Sequence, residues 1–182
     1  MARFYTQTGD DGYTSQLGEG RLPKYHPRTE AVGAADEATA ALGVARAASQ
    51  TEETRSLLLA VQRDLYNLMA EIAASPENAP RFRVIDAERV AWLEGEIDKL
   101  SARVEVPGEF IVPGDSPAGA ALDMARTVVR RAERQVAHLM HTNEIENTQL
   151  LRYLNRLSSL CFVLELLENK TSGVDQPTLA RG

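Results

Sequence analysis

The chain has almost no cysteine, few aromatic residues and no long apolar run. Of its 182 residues, one is cysteine and 5% are aromatic, which excludes an internal disulfide and a cysteine-based metal site. Cys161 lies in an apolar run and is predicted to be a small core residue. No segment approaches the length of a membrane span, and the beginning has neither a signal-peptide apolar region nor an Arg/Ser-rich transit helix. We therefore expect a cytoplasmic protein with no membrane partner.

Positive charge is also in deficit. The chain has 20 Lys and Arg against 26 Asp and Glu, a net charge of −6, which argues against a nucleic-acid partner. Any anionic ligand must then be held by a local basic cluster. A P-loop kinase or ATPase is disfavoured because no Gly-x-x-x-x-Gly-Lys-Ser/Thr segment is present. The histidines His26, His138 and His141 do not complete the Glu-x-x-His spacing of di-iron bundles, so we predict no metal held by protein side chains.

Apolar residues recur at helical spacing in five segments separated by short breaks. We predict helices over about 29–49, 52–74, 86–104, 117–140 and 146–169, with Asp86 and Ser116 as N-caps and weak β character near the N-terminus. Alternating spacings of three and four residues indicate long, nearly antiparallel helices in one bundle. The predicted fold class is all-α, and no linker divides the chain. A single domain comprises a glycine-rich loop (1–28), a five-helix bundle (29–169) and a C-terminal tail (170–182).

The segment 4–14 is unusually rich in ligand-binding residue types. It contains two glycines, three threonines and two aspartates without apolar periodicity, and Arg21, Lys24 and Arg28 follow it. Glycines permit close backbone approach, hydroxyls and N–H groups suit phosphate oxygens, and aspartates suit a magnesium shell or a ribose. The segment is therefore either a loop that wraps a nucleotide or a solvated N-terminal arm.

A charged stripe lies beside the apolar seam of the fourth predicted helix. Asp123, Arg126, Arg130 and Glu133 follow one another at spacings of three and four. They form either an internal salt-bridge ladder or an anion clamp, since arginine offers a rigid donor fork for phosphate oxygens. On the fifth helix Asn155 has the same position relative to its seam, and is either a satisfied buried amide or a ligand contact.

Six motifs occur in order along most of the chain. They are Tyr5–Thr14, Gly20-Arg21-x-x-Lys24 with Arg28, Gly33-x-x-Asp36-Glu37, Phe110–Gly114, Arg126–Arg134 and Leu154–Ser158. Together they resemble the motifs of the PduO-type ATP:cob(I)alamin adenosyltransferases, and their joint occurrence is far more specific than any one of them. Departures from the usual pattern include Ser159, where an aspartate is common, and Glu165-Leu166 in place of an Ala-Arg ending.

The resemblance implies a homotrimer, with ATP at each subunit interface and the corrinoid in a neighbouring apolar pocket. It implies that Asp36 and Arg126 form a charge pair across the interface and shape the active site. It also implies that Phe110 closes one axial side of the corrin and helps to remove the lower ligand of cobalt. The ATP-binding residues that it implies are Thr6, Thr8, Gly9, Gly12, Thr14, Lys24, Arg28, Arg130, Glu133 and Asn155.

The activity implied by the resemblance is transfer of the 5′-deoxyadenosyl group of ATP to cob(I)alamin, with Mg²⁺, giving adenosylcobalamin and triphosphate. Its partners would include a reductase and an acceptor enzyme that depends on adenosylcobalamin. Two alternatives of other classes stay open. The chain could be a non-catalytic cobalamin carrier or nucleotide sensor on the same bundle, or a purely structural bundle in which Phe110 anchors a loop.

Overall fold

The five predicted helices are all present in the computed structural model, which describes residues 5–181. The elements are the hairpin strands β1 (Tyr13–Ser15) and β2 (Arg21–Pro23), followed by α1 (Pro27–Ala48), α2 (Glu52–Ala73), α3 (Ala87–Ser101), α4 (Pro117–His141) and α5 (Thr148–Thr171). A short 3₁₀ turn, Ala79–Phe82, interrupts the connection between α2 and α3. The predicted all-α, five-helix class is confirmed. Within residues 5–181, no helix has the length and apolar character needed to cross a membrane.

Local capping sets the helix boundaries. Asp86 accepts a hydrogen bond from the Arg89 N–H at 2.8 Å, and Ser116 accepts one from the Gly119 N–H at 2.9 Å, as the N-cap pattern predicts. Helix α5 begins two residues later than expected, because the Asn147 side chain caps it by accepting from the Gln149 N–H at 3.0 Å. Helix α3 ends at Ser101, three residues before the predicted end, since the chain turns there.

Four helix–helix contacts build the bundle around one core. Helix α1 packs against α2 and α4, and α5 packs against α4 and α3. The face of α1 turned to the core is rich in alanine, so its neighbours approach closely. The seams of the other helices fill the interior with larger side chains, among them Leu65, Leu93, Leu122, Leu139, Leu154 and Leu164. Helix α2 also touches α5, much less extensively than it packs on α1.

A buried polar network connects α2, α3 and α5. The Tyr153 hydroxyl donates to Asp64 at 2.5 Å, and the guanidinium of Arg89 approaches the same carboxylate at 2.8 Å. Arg89 also stacks on the Trp92 ring, 3.5 Å from its centroid. Burial and the negative charge of Asp64 hold the pKa of Tyr153 well above its usual value. The carboxylate is thus satisfied from two sides, and we interpret this cluster as structural.

The start of α4 lies directly against the end of α5. The Ser116 hydroxyl donates to the Asn169 side-chain oxygen at 2.6 Å. A Cβ added at Gly119 would lie 2.1 Å from the same oxygen, so only glycine permits this approach. The contact anchors the segment before α4, which forms one wall of the candidate site.

Candidate functional site

The N-terminal loop folds around Arg21. Its guanidinium forms two hydrogen bonds to the Asp11 carboxylate, at 2.7 and 2.8 Å, and a third to the Thr8 carbonyl at 2.7 Å. The hydrogen bonds from Arg21 to the carboxylate, and a lesser one from the Tyr13 N–H, lower the pKa of Asp11 to about 2. Residues 1–4 of the predicted ATP-binding loop lie outside the described residues. The described part, although mostly exposed, is an organised turn with an ion pair at its centre rather than an extended arm.

Several predicted nucleotide-binding residues lie close together in this loop. A Cβ added at Gly9 would lie 3.0 Å from the Lys24 Nζ, so the ammonium group sits directly over the glycine backbone. Gly12 has a φ of +81°, and its carbonyl accepts from the Lys24 N–H at 2.9 Å. The hydroxyls of Thr6 and Thr8 are 2.7 Å apart. The loop therefore presents hydroxyls and an ammonium group on one exposed surface, the kind of donors that phosphate oxygens bind.

Arg28 has a different position from the other predicted ATP-binding residues. It is 5% exposed, and its guanidinium donates to the Ala74 carbonyl at 2.7 Å and to the Glu144 carboxylate at 3.0 Å. A further donor bonds to the Glu144 carbonyl. These contacts join the start of α1 to the end of α2 and to the α4–α5 connection. Because its donors are engaged within the chain, an ATP contact by Arg28 stays a prediction.

A cleft of about 560 Å³ opens between the loop 106–113 and the helices α4 and α5. The loop side is mostly apolar, apart from Glu109, and it carries Phe110, which is 88% exposed. Charged and hydroxyl groups line the helix side. The lining residues include Val106, Glu109, Phe110, Ile111, Asp123, Arg126, Arg130, Ser158, Ser159 and Phe162. The structure thus brings Phe110, Arg126 and Arg130 together, although 16 and 20 residues of sequence separate the arginines from the aromatic ring.

The charged stripe on α4 is not a continuous salt-bridge ladder. Arg126 forms an ion pair with Asp123, with guanidinium nitrogens 2.7 and 2.8 Å from one carboxylate oxygen. Within residues 5–181, Arg130 and Asp36 take part in no ion pair. The predicted pairing of Asp36 with Arg126 involves a second copy of the chain and stays a prediction. An exposed, unpaired arginine beside the cleft favours the anion-clamp interpretation.

Glu133 and Asn155 are brought together by the packing of α4 on α5. The Asn155 amide donates to the Glu133 carboxylate at 2.8 Å, and its oxygen accepts from Arg156 at 2.7 Å. Arg156 in turn donates to Glu94 of α3 at 2.9 Å. Asn155 is therefore a satisfied, part-buried amide in this structure. A nucleotide contact by Glu133 or Asn155 stays a prediction.

Glu165 is a fully buried carboxyl group in the helix that lines the cleft. It is 0% exposed, and neither of its oxygens has a hydrogen-bond partner among the described residues. Burial, followed by the charge of Asp123, raises its pKa to about 7. The neighbouring Cys161 is also buried, which raises the pKa of its thiol to about 12 and fits its predicted role as a core residue.

Sequence reasoning missed part of the cleft. The predicted site residues do not include Ser158 or Phe162, yet both line the cleft. Each lies one position beyond a core residue of α5, Leu157 and Cys161 respectively. That stripe continues to Glu165, at spacings of four and three. The same reading of helical geometry that found the stripe on α4 would have found this one.

The fold and the cleft define a class of protein: a helical bundle whose ligand site has apolar side chains on one side and arginines on the other. A separate N-terminal loop carries groups suited to binding phosphate. A sequence model described as cobalamin adenosyltransferase matches residues 4–168. The chain belongs to the cobalamin adenosyltransferase family.

Several named proteins are similar to this chain, two of them in sequence and one in fold. The corrinoid adenosyltransferase PduO of Salmonella typhimurium is 42% identical over 91% of this chain and 49% of its own length. A corrinoid adenosyltransferase of Bacillus subtilis is 37% identical over 94% of this chain and 89% of its own length. A solved variant of a PduO-type ATP:corrinoid adenosyltransferase from Lactobacillus reuteri, complexed with cobalamin and ATP, aligns with a TM-score of 0.90 at 31% identity, covering 99% of this chain and 100% of that one.

The chain spans about half the length of two of these relatives. The shares are 49% for the Salmonella typhimurium PduO and 50% for the PduO of Citrobacter freundii.

Proposed function

We propose that this chain transfers the 5′-deoxyadenosyl group of ATP to the cobalt of cob(I)alamin and releases triphosphate. Family membership and the likeness to a structure complexed with cobalamin and ATP support the two substrates. The observation that carries the proposal is the cleft, because an apolar wall with Phe110 faces Arg126 and Arg130 across one space. A corrin ring suits the apolar side chains of the loop, and a polyphosphate suits Arg130, which takes part in no ion pair within residues 5–181.

The proposed step breaks one bond and forms one. The electron pair of cob(I)alamin attacks C5′ of ATP, the C5′–O5′ bond breaks, and its electron pair leaves with the triphosphate. The chain then needs no covalent nucleophile or base. Its contribution is to hold the reacting atoms in line, which is worth up to roughly 7–11 kcal/mol, and to place cations beside the leaving group. Lys24 and Arg130 are our candidates for the latter role.

Phe110 has a separate proposed role on the corrin. A large apolar side chain beside cobalt excludes water and blocks the lower axial ligand, which makes cob(II)alamin easier to reduce. The ring is suited to this because it is exposed in the cleft rather than buried in the bundle core. An anchoring aromatic residue would instead be covered by its own chain.

Magnesium would enter this site with the nucleotide. Among residues 5–181, no group of three or more His, Cys, Asp or Glu side chains is arranged to hold a metal ion. The Asp11 carboxylate of the loop is engaged by Arg21. Mg²⁺ is commonly held by substrate phosphates and water with one or two carboxylates, so the residues present fit an ion that ATP carries. In that position it would neutralise charge on the departing triphosphate.

We further propose that the ATP site forms between copies of the chain in a homotrimer. The N-terminal loop docks on the end of α2, where the Leu17 N–H donates to the Ala73 carbonyl at 3.0 Å. That end of the bundle also holds the end of α4, through Arg28 and Glu144. Arg126 lies some four turns back along α4, on the order of 20 Å away at 1.5 Å per residue. This separation supports a site in which a neighbouring copy brings its loop to the cleft.

Product analysis tests the activity. The chain, ATP, Mg²⁺ and chemically reduced cobalamin should give triphosphate by phosphorus NMR and a carbon–cobalt product in the visible spectrum. Arg130→Ala should lose most of this activity, whereas Arg134→Ala, one turn further along α4, should retain it. Formation of ADP would contradict the proposal. Corrinoid binding with ATP unchanged would indicate a carrier instead.

Subunit mixing tests the shared site. Lys24→Ala and Arg130→Ala should each be inactive alone, whereas a refolded mixture should regain activity, because some interfaces combine an intact loop with an intact α4. The particle should have three times the 20.0 kDa mass of the chain. A mixture no more active than its components would contradict a site shared between copies. A cytoplasmic location, the reductase and the acceptor enzyme stay predictions.

A further inference from the structure

The segment 174–181 returns from the end of α5 to the loop that carries Phe110. Helix α5 ends at Thr171, and Gly173 adopts a φ of +86° that reverses the chain. The Val174 N–H bonds back to the Asn169 carbonyl at 3.0 Å, which holds the reversal in place. The segment then runs alongside residues 110–115.

Two backbone hydrogen bonds join the segment to this loop. The Val112 N–H donates to the Thr178 carbonyl at 2.8 Å, and the Ala180 N–H donates to the Phe110 carbonyl at 2.8 Å. Ile111 and Leu179 form the antiparallel bridge between them. The segment therefore forms an isolated antiparallel bridge beside Phe110, whose ring lines the cleft.

A side-chain clasp sets the register of this pairing. Asp115 accepts from the Thr178 N–H at 2.9 Å and from the Thr178 hydroxyl at 2.7 Å. Asp115 immediately precedes Ser116, the N-cap of α4, whose hydroxyl is bonded to Asn169 at the end of α5. The clasp is thus attached to the junction of two helices.

The Phe110 loop has little else to hold it. Within the described residues 5–181, the backbone of 105–114 makes no hydrogen bonds other than the two with this segment. The Phe110 ring is 88% exposed, so packing against its own chain cannot fix its position either. Ordering a free backbone costs conformational entropy, which an unsupported loop would have to recover from contacts with its ligand.

We propose that the segment 174–181 is the positioning element for Phe110, acting through its two backbone hydrogen bonds to the loop and the Asp115–Thr178 clasp. The inference rests on the proposed function, because it assigns the segment a role through the effect of Phe110 on the corrin. With the pairing intact, the ring is presented in the cleft before the corrinoid binds. With the pairing broken, the loop is free and the ring blocks the lower face of cobalt only part of the time.

Ala180→Pro tests the pairing, with Ala180→Ser as its matched control. Proline removes the N–H that bonds to the Phe110 carbonyl, whereas serine at this exposed position keeps it. By hydrogen exchange, the Val112 amide should exchange faster in Ala180→Pro than in Ala180→Ser. Turnover from cob(II)alamin plus reductant should fall about tenfold to a hundredfold in the proline variant, and turnover from pre-reduced cob(I)alamin should fall less.

A double variant separates positioning from a general effect. Ala180→Pro combined with Phe110→Ala should be no worse than Phe110→Ala alone, because the segment acts through that ring. Additive losses, or a proline variant equal to the serine variant in exchange and turnover, would overturn the inference. If the wild-type chain forms no adenosylated product, the proposed function fails. The exchange rate of the Val112 amide then tests the pairing by itself, and an unchanged rate in the proline variant would refute it.

Asp115→Asn with Thr178→Val provides a second route that leaves both backbone bonds possible. This double variant should speed exchange of the Val112 amide, and it should lower turnover from cob(II)alamin more than turnover from pre-reduced cob(I)alamin. If the proline variant does not fold, as shown by its thermal unfolding, this pair carries the test. Exchange and turnover equal to the wild type would then overturn the role of the clasp.

Discussion

Replacing Glu165 with Gln should change the free energy of unfolding differently at pH 5 and pH 8. Relative to the wild type, the variant should be more stable at pH 8 than it is at pH 5. The carboxyl is 0% exposed and has no hydrogen-bond partner among the described residues, and its pKa is raised from 4.5 to about 7. Between pH 4.5 and about pH 7, the carboxyl therefore keeps its proton in the native chain but loses it in the unfolded chain. Its contribution to stability is complete below pH 4.5 and is lost as the pH rises through about 7.

The pKa shift gives the size of the effect. At 1.36 kcal/mol per unit, it corresponds to about 3 kcal/mol of lost stability above pH 7, of which roughly 2–3 kcal/mol develops between pH 5 and pH 8. Glutamine has nearly the same shape but never ionises. Any cost of burying its amide is the same at both pH values, so the difference between them isolates the titration.

Urea denaturation at pH 5 and pH 8, at one protein concentration, measures the difference. Glu168→Gln is the matched control, since Glu168 is equally buried in α5 but accepts hydrogen bonds from Gln50 at 2.8 Å and Thr51 at 3.2 Å. We expect this control to destabilise the chain at both pH values. If Glu165→Gln differs from the wild type by the same amount at pH 5 and pH 8, Glu165 ionises normally and the interpretation is refuted.

Three further predictions follow from the geometry. Phe110→Ala should reduce turnover from cob(II)alamin more than from pre-reduced cob(I)alamin; equal losses in paired assays would mean that the ring serves packing alone. Gly119→Ala should destabilise the chain by about 1–3 kcal/mol in urea, because the new Cβ would lie 2.1 Å from the Asn169 oxygen, whereas Gly95→Ala in open helix should not. Arg126→Ala and Asp36→Ala should impair activity non-additively, and strictly additive losses in a double-mutant cycle would remove the proposed pairing between copies.

Much of the bundle could be predicted from local sequence. Apolar spacing predicted all five helices, and Asp86 and Ser116 were found as caps because a cap bonds to a backbone group only three residues away. Boundaries failed where a different residue decided them, as at Asn147, whose amide caps α5 and also bonds to Glu71 of α2 at 3.0 Å. That second contact spans 76 residues, and no local pattern contains it.

The candidate site divides in the same way. The stripe with Arg126 and Arg130 could be read from helical geometry, since both residues lie on one helix. Arg28 looked like another cation for ATP, yet its buried contacts to Ala74 and Glu144 depend on how three helix ends meet. Such a contact is invisible until the helices are packed.

The sequence by itself determined the helical class, the seams, the caps and the residues that mark the family, because each is written in neighbours a few positions apart. Only the tertiary structure decided the cleft, the isolation of Glu165 and the pairing of the Phe110 loop with the segment 174–181. The Asp115–Thr178 clasp joins residues 63 positions apart. Its formation depends on the end of α5 lying beside the start of α4, and that is a consequence of packing the whole core.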